Sequence, residues 1–169
     1  MDEPRATLAL WDYRRRVAEI YRRVRSGPPG EEAWLRWRRA RDELFATHPQ
    51  SAIEPEQRHR FAGLSYFPYD PTWRVEVHVE PLPPEPTALG HSGAGETPTR
   101  RFGISRFELA KQAVQLTFYW LEDYGGGVFV PFRDATSGAE TYGGGRYLLD
   151  TAKGADLGHV DDRVVLDFN

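Results

Sequence analysis

The hydrophobic period changes once along this chain, and that change constrains the fold more than any other feature. Up to residue 47, apolar side chains return every three or four positions; from residue 73 onward they return mostly at every second position. The first spacing lines one face of a helix and the second one face of a strand. Leu10, Tyr13, Val17, Ile20, Tyr21 and Val24 predict a helix over 7–25, with Thr7 as its N-cap and Gly27-Pro28-Pro29-Gly30 as its stop. Trp34, Trp37, Ala40, Leu44 and Phe45 predict a second helix over 31–47. His48-Pro49 ends it, because a residue before proline avoids the α region. So short a connection makes the two helices antiparallel neighbours.

Beyond the turn-forming run Phe67-Pro68-Tyr69-Asp70-Pro71, the residues Trp73, Val75, Val77 and Val79 alternate with Arg74, Glu76, His78 and Glu80. Residues 81–98 are rich in Pro, Gly and Thr and read as a loop with its tip at 90–96, flanked by short strands near 87–89 and 97–102. Segments 103–108 and 113–121 read as a hairpin, with Val114, Leu116, Phe118 and Trp120 facing the core. Gly125-Gly126-Gly127 turns into 128–132, where Pro131 implies an edge or a bulge. Segments 146–149 and 163–168 supply the last strands, with Val164, Leu166 and Phe168 sharing a face. A strand at the terminus predicts a partly unpaired edge, and with it a homo-oligomer. The expected fold is α+β: an antiparallel helical hairpin over 7–47 and a mostly antiparallel β-meander over 61–169. The meander is a curled sheet or a small barrel, and the whole of 1–169 is one domain.

The chain has no cysteine, which excludes disulfides, thiolate metal sites and cysteine nucleophiles. Its histidines, at 48, 59, 78, 91 and 159, include no pair at metal-ligand spacing, so they read as surface residues and no metal or cofactor is expected. A net charge of −3 gives no electrostatic basis for nucleic-acid binding. No apolar run approaches the roughly 20 residues of a membrane helix. The start Met1-Asp2-Glu3-Pro4 lacks the pattern of a secretory leader, so a cytoplasmic location is expected. The helical segment is arginine-rich, with 13 basic against 10 acidic residues through residue 60, a balance of +3. Asp12–Arg16, Arg15–Glu19, Glu19–Arg23 and Glu32–Arg36 all fall at i,i+4, which predicts an ion-paired, solvated face. A partner-binding role for these Trp-bearing helices is a further reading.

The densest group of chemically versatile residues lies between 131 and 150. Arg133 and Arg146 are forked donors suited to a carboxylate or phosphate. Asp134 and Glu140 are available to neutralise them, and Tyr142 adds a hydroxyl. These five residues are the candidate site for a small anionic ligand. Asp134, Glu140 or Tyr142 would supply the acid and base if the protein were instead a hydrolase or isomerase. The same residues also suit a plain hairpin: Asp134 making an Asx-turn, Gly138 closing it, and Arg–carboxylate pairs tying its ends. The triple glycines 125–127 and 143–145 do not form a nucleotide loop, since no Gly-Lys-Ser/Thr follows either.

The stretches Phe132-Arg133-Asp134-Ala135-Thr136-Ser137-Gly138, Glu140-Thr141-Tyr142, Gly145-Arg146-Tyr147-Leu148 and Leu166-Asp167-Phe168-Asn169 resemble the bacterial and archaeal family known as domain of unknown function 1684. Gly63-Leu64 and Tyr66-Phe67-Pro68-Tyr69-Asp70-Pro71 extend the resemblance, which covers most of the chain after about residue 45. The resemblance implies no particular activity. Chains of that family continue past Asp-Phe-Asn into a segment with Asn-Pro, cysteines and Pro-Pro-Glu-Asn, whereas this sequence stops at Asn169. Ligand or partner binding, rather than turnover, is therefore the expectation for the chain by itself.

Overall fold

Two helices come first, as the early period requires. The computed structural model describes residues 3–90, 95–122 and 124–169. The expected loop tip at 90–96 and His91 fall largely or wholly outside them. The chain divides into two compact units, Met1–Pro71 with Asn169, and Thr72–Phe168.

In the first unit, α1 spans Glu3–Arg25 and α2 spans Glu31–Thr47, joined by the Gly-Pro turn. The helix begins earlier than Thr7 suggested: Thr7 lies a full turn inside, and its hydroxyl donates to the Glu3 carbonyl at 3.0 Å. At the other end of the hairpin, α2 stops at His48 in an extended conformation. The α1 and α2 surfaces meet through an edge contact between Tyr21 and Trp37, at 6.1 Å, and a similar one between Tyr13 and His48, at 5.2 Å. His48 is not a surface residue; it is buried. Its Nδ1 accepts the Gln50 amide at 3.1 Å, so Nε2 carries the hydrogen and faces Asp12 Oδ2 at 3.3 Å. Leu10, expected on the packed face, is exposed, as are Leu8 and Trp11.

The α1 ion pairs gather on two carboxylates. Asp12 holds Arg15 at 2.8 Å and Arg16 at 2.7 Å; Glu19 holds Arg22 at 2.7 Å and Arg23 at 2.8 Å. Arg15 thus turns back to Asp12 rather than forward to Glu19. On α2 the Arg36–Glu32 pair is looser, at 3.6 Å. Hydrogen bonds from Arg15 and Arg16 lower the Asp12 pKa from 3.8 to about 2, and those from Arg22 and Arg23 lower Glu19 from 4.5 to about 2.

The second unit holds two antiparallel sheets. Strands β2 (Glu80–Gly90), β3 (Glu96–Leu109), β4 (Gln112–Leu121), β5 (Gly127–Phe132) and β6 (Arg146–Asp150) form a meander in sequence order. Strands β1 (Arg74–Val77), β8 (Arg163–Asp167) and β7 (His159–Val160) form the other sheet, with β8 in the middle. The sheets do not close into a barrel. Nor is the last strand an edge: β8 pairs with β1 from Arg74↔Asp167 to Val77↔Val164, and with β7 on its other side. Both its faces are covered, so Val165 and Leu166 are both buried.

The expected loop over 81–98 contains a long strand instead. Pro81, Pro83, Pro84 and Pro86 cannot donate to a ladder, yet β2 needs donors on one side only because it is an edge. Its pairing with β3 shifts between Pro81 and Glu85. Strand β4 is central, and Leu116 and Phe118 are buried as the alternation requires. Trp120 is 38% exposed. Its indole covers Gly126, where a Cβ would stand 2.3 Å from the ring, so it wraps the β4–β5 turn rather than entering the core. Val77 and Leu166 join Leu116, Phe118, Val130 and Leu149 in one core, ringed by Phe102, Phe107, Phe132 and Phe168. Pro131 sits at a bulge between β5 and β6, not at an edge.

Candidate functional site

The turn between β5 and β6 opens where the core ends. Phe132 closes β5 with its ring 5.4 Å from Phe168, and it pairs in register with Arg146, the first residue of β6. The Arg146 guanidinium lies 4.7 Å over the Phe132 ring. An aromatic floor therefore fixes the guanidinium plane before any polar group touches it.

The turn then builds its own carboxylate onto that cation. The Thr136 amide donates to Asp134 Oδ1 at 3.0 Å, which is the Asx-turn the sequence suggested, and the Thr136 hydroxyl donates to the same oxygen at 2.6 Å. Asp134 Oδ2 accepts Arg146 Nη2, which also faces Thr136 Oγ1 at 3.3 Å. The Thr136 carbonyl accepts the amides of Glu140 and Thr141 at 2.9 and 3.0 Å, and Gly138, at φ 89°, donates to the Thr141 carbonyl at 2.9 Å. The Thr136 and Thr141 hydroxyls stand 3.0 Å apart. Burial acts to raise the Asp134 pKa, but the Thr136 hydrogen bonds and the Arg146 charge outweigh it and hold the carboxyl below its ordinary value.

Of the five candidate residues, the fold brings Asp134 and Arg146 together and leaves three outside. Arg133 is exposed, and among the described residues its guanidinium has no ion pair or hydrogen bond. Its stem crosses Gly145, where a Cβ would stand 2.7 Å from Cγ. Glu140 is exposed, and Tyr142 is 62% exposed. One donor within the pair is left over: Arg146 Nε is buried and has no acceptor. Among the described residues, no three His, Asp or Glu side chains converge as a metal would require. No described helix is long and apolar enough to cross a membrane.

A second cation cluster, on α2, escaped the sequence reading. The Arg38 guanidinium lies 4.6 Å from the ring of Trp34 and 4.5 Å from that of Tyr66, two rings that meet edge to face. Arg41 lies over Trp37 at 4.7 Å and Phe45 at 5.6 Å, and its Nη1 donates to the Tyr66 hydroxyl at 3.1 Å. The signal was present as Trp34–Arg38, Trp37–Arg41 and Arg41–Phe45, all i,i+4 pairs. Matching each arginine to a carboxylate, rather than to a ring, hid it.

A model of a protein family of unknown function, DUF1684, matches residues 59–169. The chain belongs to the DUF1684 family. The match takes in every strand of the second unit and the whole β5–β6 turn. The chain is also similar to an uncharacterised protein of Haloarcula marismortui, whose solution NMR structure shares 37% sequence identity at a TM-score of 0.56. That similarity covers 82% of this chain and 75% of the other. No curated protein matches this DUF1684 chain.

Proposed function

We propose that the protein is a binding module for a small carboxylate, held at the β5–β6 turn by Arg146 and Arg133. The observation that carries this reading is the Arg146 Nε donor. The guanidinium is immobilised by Phe132 beneath it and Asp134 beside it, yet Nε is buried without an acceptor. An unmet buried donor costs about 1–3 kcal/mol, which a ligand oxygen would offset. Arg133 supports the reading as a second cation, exposed beside the pair and not neutralised by any described carboxylate. An acid/base role for Asp134 is less well supported, because a carboxylate tied to three donors and held below its ordinary pKa is a weak proton acceptor.

Calorimetric titration with succinate tests the proposal. The wild-type chain binds saturably. Arg146→Lys keeps the charge opposite Asp134 but removes the fork, and should weaken binding roughly tenfold. Arg133→Ala should weaken it by a smaller factor. A wild-type chain that gives no saturable heat with succinate at any millimolar concentration contradicts the proposal.

A further inference from the structure

We propose that Arg38 and Arg41 of α2 form a second and separate oxyanion site, suited to a phosphoryl group. The arginines of α1 near Asp12 and Glu19 are paired with those carboxylates, two to each. Arg38 and Arg41 are held differently. Both are partly buried, both lie against aromatic faces, and among the described residues neither has a carboxylate partner. The Trp34 and Tyr66 rings, inclined at 79° to each other with centroids 6.3 Å apart, meet the Arg38 guanidinium from two directions roughly a right angle apart and restrain it. A guanidinium held in place can present its N–H donors to an oxyanion in forked geometry. Because the rings restrain the guanidinium groups beforehand, binding loses less side-chain freedom than it would with mobile arginines.

Tyr66 gathers the two cations. Arg38 stands over its face, and Arg41 stands at its hydroxyl. Burial pushes the Tyr66 phenol above its ordinary pKa, so it stays protonated near neutral pH. Its oxygen accepts from Arg41, and among the described residues its hydrogen has no acceptor. Asp42 is the nearby acid, but one of its oxygens is committed to the Leu64 amide at 2.9 Å. Two guanidinium forks and one phenol exceed what one carboxylate can satisfy. A phosphate monoester brings about −1.5 to −2 charges and three acceptor oxygens, which matches the set.

Titration of the 169-residue chain with inorganic phosphate, followed by the indole N–H resonances of Trp34 and Trp37, tests this. Those indoles stack on the two arginines and report on them directly. Phosphate should shift both resonances saturably, and acetate should do so far more weakly. The double variant Arg38→Lys/Arg41→Lys should bind phosphate roughly tenfold less tightly. Tyr66→Phe, which keeps both stacks and deletes only the hydroxyl, should bind several-fold less tightly. Arg146→Lys should leave phosphate affinity unchanged, which separates this site from the β5–β6 turn. The proposal is overturned if phosphate gives no saturable shift, if acetate binds as well as phosphate, or if both the lysine and Tyr66→Phe variants bind like wild type. A loss in Arg146→Lys equal to that in the lysine double variant would overturn its independence.

Discussion

Single residues decide how the β5–β6 turn holds its cation. Gly145 has φ of 94°, a conformation that strains any side-chain-bearing residue, and its α-carbon is pressed between neighbours. A Cβ there would stand 2.8 Å from the Phe132 carbonyl and 2.7 Å from Arg133 Cγ. The carbonyl belongs to a packed strand and cannot move far. Gly145→Ala should therefore lower stability by about 1–3 kcal/mol in denaturant unfolding. It should also weaken succinate binding, because the displaced stem belongs to Arg133. Succinate affinity unchanged in a folded Gly145→Ala protein would argue that Arg133 has no part in the site. Asp134 works at the same scale. Its hydrogen bonds from Thr136 turn a flexible loop residue into a fixed counter-charge, and Arg146 is oriented as a result.

At the scale of elements, α1 has no fully buried residue, and along it Asp12 and Glu19 each gather two arginines. Both carboxyls have folded pKa values near 2, below their ordinary 3.8 and 4.5. Their contribution is complete above the ordinary values and disappears as pH falls toward about 2. Helical circular dichroism should therefore decline between about pH 4.5 and pH 2, and the decline should be smaller in an Asp12→Asn/Glu19→Gln double variant. An identical acid profile in that variant would show that these pairs do not support the helix. The elements themselves were largely legible. Period alone marked α2, β4 and the hairpin that β4 forms with β3, and the Gly-Pro turn marked the antiparallel return. The misreadings have two causes, one local and one long-range. Thr7 looks like a cap only if the chain before it is disordered. The prolines of β2 look like a loop unless the strand is known to be an edge. The last strand looks like an edge unless β1 and β7 are known to flank it. The two strand misreadings depend on pairing between distant residues, which local sequence does not encode.

At the scale of the whole chain, the DUF1684 match contains the whole of one proposed site and only part of the other. The matched residues 59–169 include Arg133, Asp134 and Arg146, and also Tyr66 of the second site, whereas Arg38 and Arg41 precede them. The candidate turn was legible as a cluster, since forked donors, carboxylates and glycines crowd one short stretch. What sequence could not say was which charges meet. Asp134 reaches Arg146 because the Asx-turn aims it there, while Glu140, equally close in sequence, is left in solvent. The Arg38–Tyr66 stack was hidden because Tyr66 lies far along the chain from α2. The claim that Arg146 is a ligand-binding cation is tested most directly by proton–nitrogen spectra of the arginine Nε–H groups during a succinate titration. The account predicts that the Arg146 Nε–H resonance moves downfield and saturates, with the Arg38 resonance unmoved. An Arg146 resonance that stays in place at saturating succinate would contradict it.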